Sequence, residues 1–470
     1  MKILLVKPIS DKKSVLNIVP PIGLGYMATG LRKHGFEVTI LDCLKERFNF
    51  LDFYGYIKKA DFDLIGFQVY SKDIESVNKH ISLVKKVNES IWTIVGGPHP
   101  SLLPEKTFHH FPMVDFGFKG ESEVGISALV VYLSGNRIGF KDFDGAVLKN
   151  ISGLIWKNGS DVVCNEMYLE KNLDNFDYPA WDLIRPNKYP DGPHGVFFRE
   201  LPIAPIVTTR GCPFKCTFCG SKSINGSTLR KRSVESIIKE IELLQNSYGI
   251  REIHFLDDNF TFDKNFAMNV SREIIKRKIK INWCCPNGIR LDTLDEDLLK
   301  LMKESGCYSI SVGIESGSQR ILKLMKKGIS LGQIVDKVNL IRKLSFIVSG
   351  FFIIGYPDET KEDIRETIKF SKKLDLDRAA FFNFLPLPGT EIYKQLIQSG
   401  EMQEFSWHDF SSYKVNYAPV GISKNRLKWF QRQAYLSFYL RPVIIYKLFK
   451  EIKTFKQVMF IVKRFFAYIF

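Results

Sequence analysis

No stretch of this sequence is both long and apolar enough to cross a bilayer. The two longest apolar runs, Val348 to Tyr356 and Gln457 to Phe470, are too short or are broken by Lys463 and Arg464. The start lacks the basic residues, apolar stretch and small-residue cleavage site of a secretory leader, because Met1 to Lys7 reads directly into a strand; a cytoplasmic protein is expected. Short internal repeats and low-complexity tracts are missing too, which excludes a solenoid array. Cysteine is sparse, eight in 470 residues at uneven spacing. In a compartment that keeps thiols reduced, that pattern excludes a framework of disulfide staples. Acidic residues nearly vanish toward the C-terminus: from Lys424 to Arg464 eleven Lys or Arg face the single Glu451, so this segment supplies +10 of the net +16. The rest of the chain is mildly basic, and no RNA-binding motif accompanies the charge, which argues against a nucleic-acid partner.

What remains is a chain of 470 residues, 45% hydrophobic, long enough for at least two cores. Ile3 to Val6, Glu37 to Leu41, Leu64 to Gln68, Thr93 to Val95 and Val114 to Phe118 read as strands, and Gly23 to His34 and Ile74 to Asn88 as helices. Alternating strands and helices predict a doubly wound, Rossmann-like parallel sheet within residues 1–140. A connecting segment, 141–200, contains a hairpin around Lys157 Asn158 Gly159 Ser160, then a stretch rich in proline from Pro179 to Pro202. Over 201–400 the alternation restarts, with strands near Ile203–Thr208, Glu252–Leu256, Asn282–Cys285, Ser309–Gly313, Ile347–Ile354 and Ala379–Phe384. Six strand-helix units predict a partial (β/α)6 barrel of the TIM type, with chemistry at the carboxyl ends of its strands. Residues 401–470 read as a helical, basic C-terminal region.

Five cysteines, Cys43, Cys164, Cys284, Cys285 and Cys307, sit among apolar neighbours and read as small core residues. The other three are Cys212, Cys216 and Cys219, in Cys212 Pro213 Phe214 Lys215 Cys216 Thr217 Phe218 Cys219, where the first barrel strand ends. Soft thiolates select iron-sulfur clusters or zinc, and this spacing wraps one cubane while leaving its fourth iron open. A structural zinc site wants a fourth Cys or His, and the nearest histidine, His254, is on another strand.

On these residues the chain resembles the radical SAM superfamily, and specifically its cobalamin-binding branch, which includes methylases and an anaerobic porphyrin cyclase. The resemblance implies a 4Fe-4S cluster on Cys212, Cys216 and Cys219, S-adenosylmethionine (SAM) chelating the open iron, and Phe218 beside the adenine. It also implies an electron donor such as flavodoxin or ferredoxin. Further motifs fall on successive strand ends. Asp257 and Asp258 match the position that accepts the SAM ammonium; either also fits an acidic cap on the following helix. Arg290 in Asn287 Gly288 Ile289 Arg290 and Glu315 in Gly313 Ile314 Glu315 Ser316 correspond to contacts with the SAM methionine and ribose, and a structural ion pair would use the same residue types. Gly350 to Pro357 resembles the motif whose backbone passes the adenine at Gly355, and Pro386 to Thr390 resembles the sixth strand end.

In the first domain, Pro20 Pro21 Ile22 Gly23 Leu24 Gly25 Tyr26, Gly96 Gly97 Pro98 His99 and Gly120 Glu121 Ser122 Glu123 resemble loops of the cobalamin-binding domain. Glycine there lets a flat corrin lie against backbone. The Asp-x-His-x-x-Gly signature that supplies a cobalt ligand in methionine synthase and the mutases is missing; His99 offers an imidazole nearby, and is equally an ordinary loop residue satisfied by backbone.

After Pro442, apolar positions Leu448, Ile452, Phe455, Met459, Val462 and Phe466 recur at steps of four and three opposite Lys447, Lys450, Lys453 and Lys456, which predicts a basic amphipathic helix. It fits either packing on the barrel or contact with anionic lipid on the inner face of the membrane. The expected activity is methylation of an unactivated carbon of a lipid, isoprenoid or specialised metabolite, through a 5′-deoxyadenosyl radical and methylcobalamin. Two alternatives are a radical SAM cyclase or rearrangement enzyme without methyl transfer, and a non-catalytic SAM or corrin sensor.

Overall fold

The computed structural model describes residues 1–10, 18–135, 143–190, 198–402, 407, 410–452, 455 and 457–459. The chain divides into two compact units: Met1–Pro190 with Gly220–Ser227 and Ser406–His408, and Asp191–Cys219 with Thr228–Phe405 and Asp409–Phe470.

The first unit is built on β1 (Lys2–Lys7), β2 (Glu37–Asp42), β3 (Leu64–Gln68), β4 (Trp92–Gly96), β5 (Phe116–Phe118), β6 (Leu154–Asn158) and β7 (Asp161–Cys164), in the order β2-β1-β3-β4-β5-β6-β7. β1 to β5 pair in parallel. The β6–β7 hairpin adds antiparallel to β5. A parallel sheet is covered on both faces, so its strands are continuously apolar and successive residues serve opposite cores. Ile3 and Leu5 pack with Leu24, Ala28 and Leu31 of the helix Ile22–Lys33 and with Ile126, Leu129 and Val130 of Glu123–Gly135. Leu4 and Val6 pack with Phe53 and Ile57 of Phe50–Lys59 and with Val77, Ile81 and Val84 of Ile74–Val87. Each fully buried aliphatic side chain contributes about 1.5–3 kcal/mol, which makes these two layers the main support of the sheet. The strand order reverses at β1, and such a switch point opens a crevice at the carboxyl ends of the strands.

The second unit holds β8 (Ile203–Ile206), β9 (Thr209–Arg210), β10 (Arg230–Lys231), β11 (Glu252–Phe255), β12 (Asn282–Ile289), β13 (Cys307–Glu315), β14 (Ile347–Ile354) and β15 (Arg378–Asn383). Six of them form one parallel sheet in the order β8-β11-β12-β13-β14-β15, while β9 and β10 make a short antiparallel ribbon. This is the partial barrel, open between β8 and β15. Its helices start where their caps dictate: Ser330 with Gln333 and Thr360 with Asp363 form reciprocal capping boxes for Leu331–Lys343 and Lys361–Lys373.

The open edge at β15 is covered by the helix Lys424–Tyr439, whose side chains replace a missing strand. Gln431 Nε2 donates to Phe381 O at 2.8 Å, the Tyr435 hydroxyl accepts from Phe381 N at 3.2 Å, and the Tyr439 hydroxyl donates to Ala379 O at 2.8 Å. The helix Pro442–Glu451 follows. The amphipathic helix expected onward to Phe470 falls partly outside the described residues. Within them the charges are arranged differently from the expectation: Lys447 pairs with Asp375 at 2.7 Å and Asp377 at 3.1 Å, and Glu451 pairs with Arg378. Acids on the barrel draw the lysine inward, while Val443, Tyr446 and Phe449 are 53%, 60% and 69% exposed.

Candidate active site

The three-cysteine loop leaves β9 at the carboxyl end of the barrel's first strand. Cys212 and Cys216 are half-buried and Cys219 is exposed, whereas Cys43, Cys284, Cys285 and Cys307 are buried. A turn closes the loop, Cys219 N donating to Cys216 O at 3.2 Å. Thr217 anchors it: its N–H donates to Met325 O at 3.1 Å, its carbonyl accepts from Ile392 N at 3.2 Å, and its hydroxyl lies 2.6 Å from that of Tyr356. Phe218 packs on the apolar cluster of Ile321, Met325, Tyr356 and Phe384. Burial is the main force raising the Cys212 thiol, aided by the charges of Asp258 and Cys216, while the Phe214 amide and Arg290 pull the other way. Arg290 lies across the loop, its guanidinium carbon 3.7 Å from the Phe214 ring centre and Nη1 3.6 Å from Cys216 Sγ.

The two aspartates at the end of β11 separate in role. Asp257 is 4% exposed, and its Oδ1 accepts from both the amide and the hydroxyl of Thr208, at 3.0 and 2.8 Å, and from both groups of Thr209. This stitches β11 to the root of the cysteine loop. Its Oδ2 is buried without a partner, and burial pushes its carboxyl up to about 6 against those four hydrogen bonds. Asp258 is exposed, and its charge reaches Cys212.

Glu315 ends β13 with a left-handed backbone (φ 67°), a conformation that costs a non-glycine residue about 1–3 kcal/mol. Its carboxylate pairs with Lys327 Nζ at 2.7 Å, both side chains at most 10% exposed. Gly313 makes room for the pair: a Cβ there would stand 2.4 Å from Glu315 Oε1 and 2.9 Å from Lys327 Nζ. Gly355 (φ 82°) and Tyr356 donate their amides to Glu359 Oε2 at 2.5 and 3.2 Å. Thr217, Lys327 and Glu359 were not singled out by the sequence reading. A threonine between ligands, a lysine in a Lys-Lys-Gly run and a glutamate after a turn each look like ordinary surface residues.

At the carboxyl edge of the first sheet, Ser101 ties two glycine loops together, donating to Gly97 O at 2.7 Å and accepting from Gly120 N at 2.8 Å. Gly97 (φ 108°) follows β4 beside Gly96, and Glu121 is buried after Gly120. His99 is fully buried, with Nδ1 2.9 Å from Ser71 Oγ and Nε2 2.9 Å from His110 Nδ1. Burial, with the neighbouring His110, pulls it down to about 3. Both ring nitrogens are occupied, so His99 has none left for a metal.

A family model of the radical SAM superfamily matches residues 206–371, and one of the B12 binding domain matches residues 12–130. The uncharacterized methyltransferase PH0819 of Pyrococcus horikoshii is 37% identical over 470 residues, covering 99% of this chain and 97% of that protein. Cytidylyl-2-hydroxyethylphosphonate methyltransferase of Streptomyces wedmorensis is 31% identical, with 84% of this chain and 80% of that protein covered. The chain belongs to the cobalamin-dependent radical SAM methyltransferases. The structure of TsrM from Kitasatospora setae, with cobalamin and a 4Fe-4S cluster bound, shares the fold at a TM-score of 0.73 and 18% identity, over 94% of this chain and 89% of that one.

A methyltransferase of this family uses a 4Fe-4S cluster, SAM and cobalamin. The residues at the barrel mouth fit the cluster and SAM. Among the described residues a single trio, Glu252, His254 and Cys284, brings its ligand atoms within 4.8 Å of one another, as one ion requires. Glu252 there is saturated by the Arg199 and Glu200 amides, the Tyr308 hydroxyl and His254, so that trio is a hydrogen-bonded barrel floor. The three loop thiols, two half-buried and one exposed, are the soft donors an iron-sulfur group takes. The orphaned Asp257 Oδ2 fits an added hydrogen-bond donor. In the first sheet the lack of side chains at Gly97 and Gly120 admits the Val69 backbone and the Met167 side chain close to those loops.

Proposed function

We propose that Cys212, Cys216 and Cys219 hold the cluster and that the enzyme methylates an unactivated carbon of an apolar acceptor, a lipid, isoprenoid or specialised metabolite. When bound, the cluster and SAM supply a hydrogen-abstracting radical and cobalamin carries the methyl group. The chain's residues position and exclude. Phe218, Asp257, Asp258, Glu315 and Gly355 line the SAM site in this reading, with Asp257 and Asp258 accepting from its ammonium. Gly96, Gly97, Gly120 and Glu121 face the corrin, and His99 holds their loop.

The observation that carries an apolar acceptor is the face of β14 and β15 turned away from the helix Lys424–Tyr439. Phe352 and Phe381 stack at 5.1 Å and pack toward Tyr435 of that helix, so alternation sends Phe351 and Phe382 to the other side. There they are half-buried, 5.9 Å apart, and Phe382 meets Tyr413, itself 42% exposed. Reduced, reconstituted enzyme given methyl-deuterated SAM and the organic-soluble fraction of a cell extract is expected to place the label in an organic-soluble product. Deoxyadenosine release without labelled product would favour the cyclase-type alternative.

A second reading concerns where the enzyme meets an apolar acceptor. The strip Val443, Tyr446 and Phe449 is exposed, Leu440 beside it is 59% exposed, and Lys450 sits 4.6 Å over the Tyr446 ring. Glu451, the sole acid from Lys424 to Arg464, is paired with Arg378 and so offsets none of that segment's own cations, of which Lys447 is engaged by Asp375 and Asp377 of the barrel. Exposed apolar side chains with a lysine among them suit an anionic membrane surface. A low-potential donor protein supplies the electron to the cluster.

A further inference from the structure

We infer that Arg290 is a positioning residue for the cluster, one that sets how readily it accepts its electron; the inference rests on the three cysteines being its ligands. Arg290 is 8% exposed, and its guanidinium is held on every side. Nε and Nη2 donate to the two carboxylate oxygens of Asp292 at 3.0 and 2.8 Å, and Nη2 also donates to Lys327 O at 2.5 Å. Its flat face covers Phe214, between Cys212 and Cys216, at 3.7 Å, and Nη1 points at Cys216 Sγ at 3.6 Å. Four of its five N–H groups are thereby engaged, so its geometry is dictated by the cysteine loop and the Lys327 turn.

The consequence is electrostatic. A cluster bound by thiolates becomes more negative when it takes up one electron from a low-potential donor protein, and no bond on the chain is made or broken in that step. A cation donating toward a ligand sulfur stabilises the reduced form more than the oxidised one, which raises the potential. Near-complete burial weakens screening by salt. Asp292 opposes this from the far edge of the guanidinium, but its side chain is 31% exposed and better hydrated. The pair therefore acts as an oriented dipole, positive end toward the sulfur.

The test is an equilibrium redox titration of the reconstituted full-length enzyme, followed by electron paramagnetic resonance without SAM, with iron and sulfide content measured on each variant. Arg290→Gln is expected to shift the cluster to a more negative potential, Asp292→Asn to a more positive one, and Arg290→Lys to fall between wild type and Arg290→Gln. Unchanged potential in fully loaded Arg290→Gln, or shifts of the same sign in Arg290→Gln and Asp292→Asn, overturns the inference. Should Arg290→Gln fail to hold a cluster, Arg290→Lys and Asp292→Asn decide, and wild-type potentials in both overturn it. Failure of the underlying ligand assignment is distinguishable, because Cys216→Ala would then retain its cluster.

Discussion

Glu359 illustrates how a single carboxyl group serves the site at a cost to stability. It is 1% exposed, accepts the Gly355 and Tyr356 amides on one oxygen, and leaves the other buried without a partner. Burial pushes it up to about 8 from an ordinary 4.5. The sign follows from linkage: between those values the unfolded chain ionises while the folded one stays protonated, so stability is full below about 4.5 and falls as pH rises toward about 8. Glu359→Gln, which keeps an acceptor and cannot ionise, is expected to melt less pH-dependently than wild type across that range, with the largest advantage at the alkaline end; parallel melting curves contradict this. Lys327 makes the opposite case. Removing it as Lys327→Met strands a buried Glu315 carboxylate and is expected to cost about 3–5 kcal/mol in denaturant melts, most of it regained in Glu315→Gln/Lys327→Met. An equal loss in the double variant contradicts the ion-pair account.

Among the elements, the cysteine loop is held by distant parts of the barrel rather than by its own sequence. Tyr356→Phe deletes the 2.6 Å bond to Thr217 and is expected to cost about 1 kcal/mol of stability and to speed loss of iron to a chelator. Wild-type chelation kinetics would count against the clamp. Element positions were largely legible, because parallel strands buried on both faces read as apolar runs and their carboxyl ends carry the glycine and charged motifs. What joins one element to another was not. The hairpin at Asn158 was readable from its turn, but its pairing with β5 depends on Gly117 and Phe118, far away in sequence. Likewise the cover that Lys424–Tyr439 gives β15 rests on Gln431, Tyr435 and Tyr439, which share one helix face at steps of four, but that spacing does not say which strand the face meets. In the C-terminal helix Lys450 is exposed as its periodicity predicts, whereas Lys447 is drawn in by Asp375 and Asp377, acids of which helical periodicity says nothing; Lys453 and Lys456 lie outside the described residues. Vesicle co-sedimentation tests its exposed strip: wild type is expected to bind anionic phospholipid vesicles and not zwitterionic ones, and Tyr446→Glu/Phe449→Glu to lose that binding. Equal binding by the variant contradicts the membrane reading.

Across the whole molecule, fold and chemistry were readable to different depths. The doubly wound sheet, the partial barrel and the cysteine loop were visible because each rests on local periodicity or on spacing within eight residues. The support of the site was hidden, since Thr217, Lys327, Glu359 and Asp292 matter through partners brought close by folding. His99 shows the converse: its loop was readable, but its burial against Ser71 and His110 required the fold. The central claim is that three thiolates at the barrel mouth hold one iron-sulfur cubane. Anaerobic purification and reconstitution of wild type and of Cys212→Ala, Cys216→Ala and Cys219→Ala, with iron, sulfide and visible absorbance measured on each, tests it most directly. About four iron and four sulfide per wild-type chain are expected, lost in every cysteine variant while corrin absorbance persists. A wild-type protein without iron, or variants that keep the full complement, would contradict it.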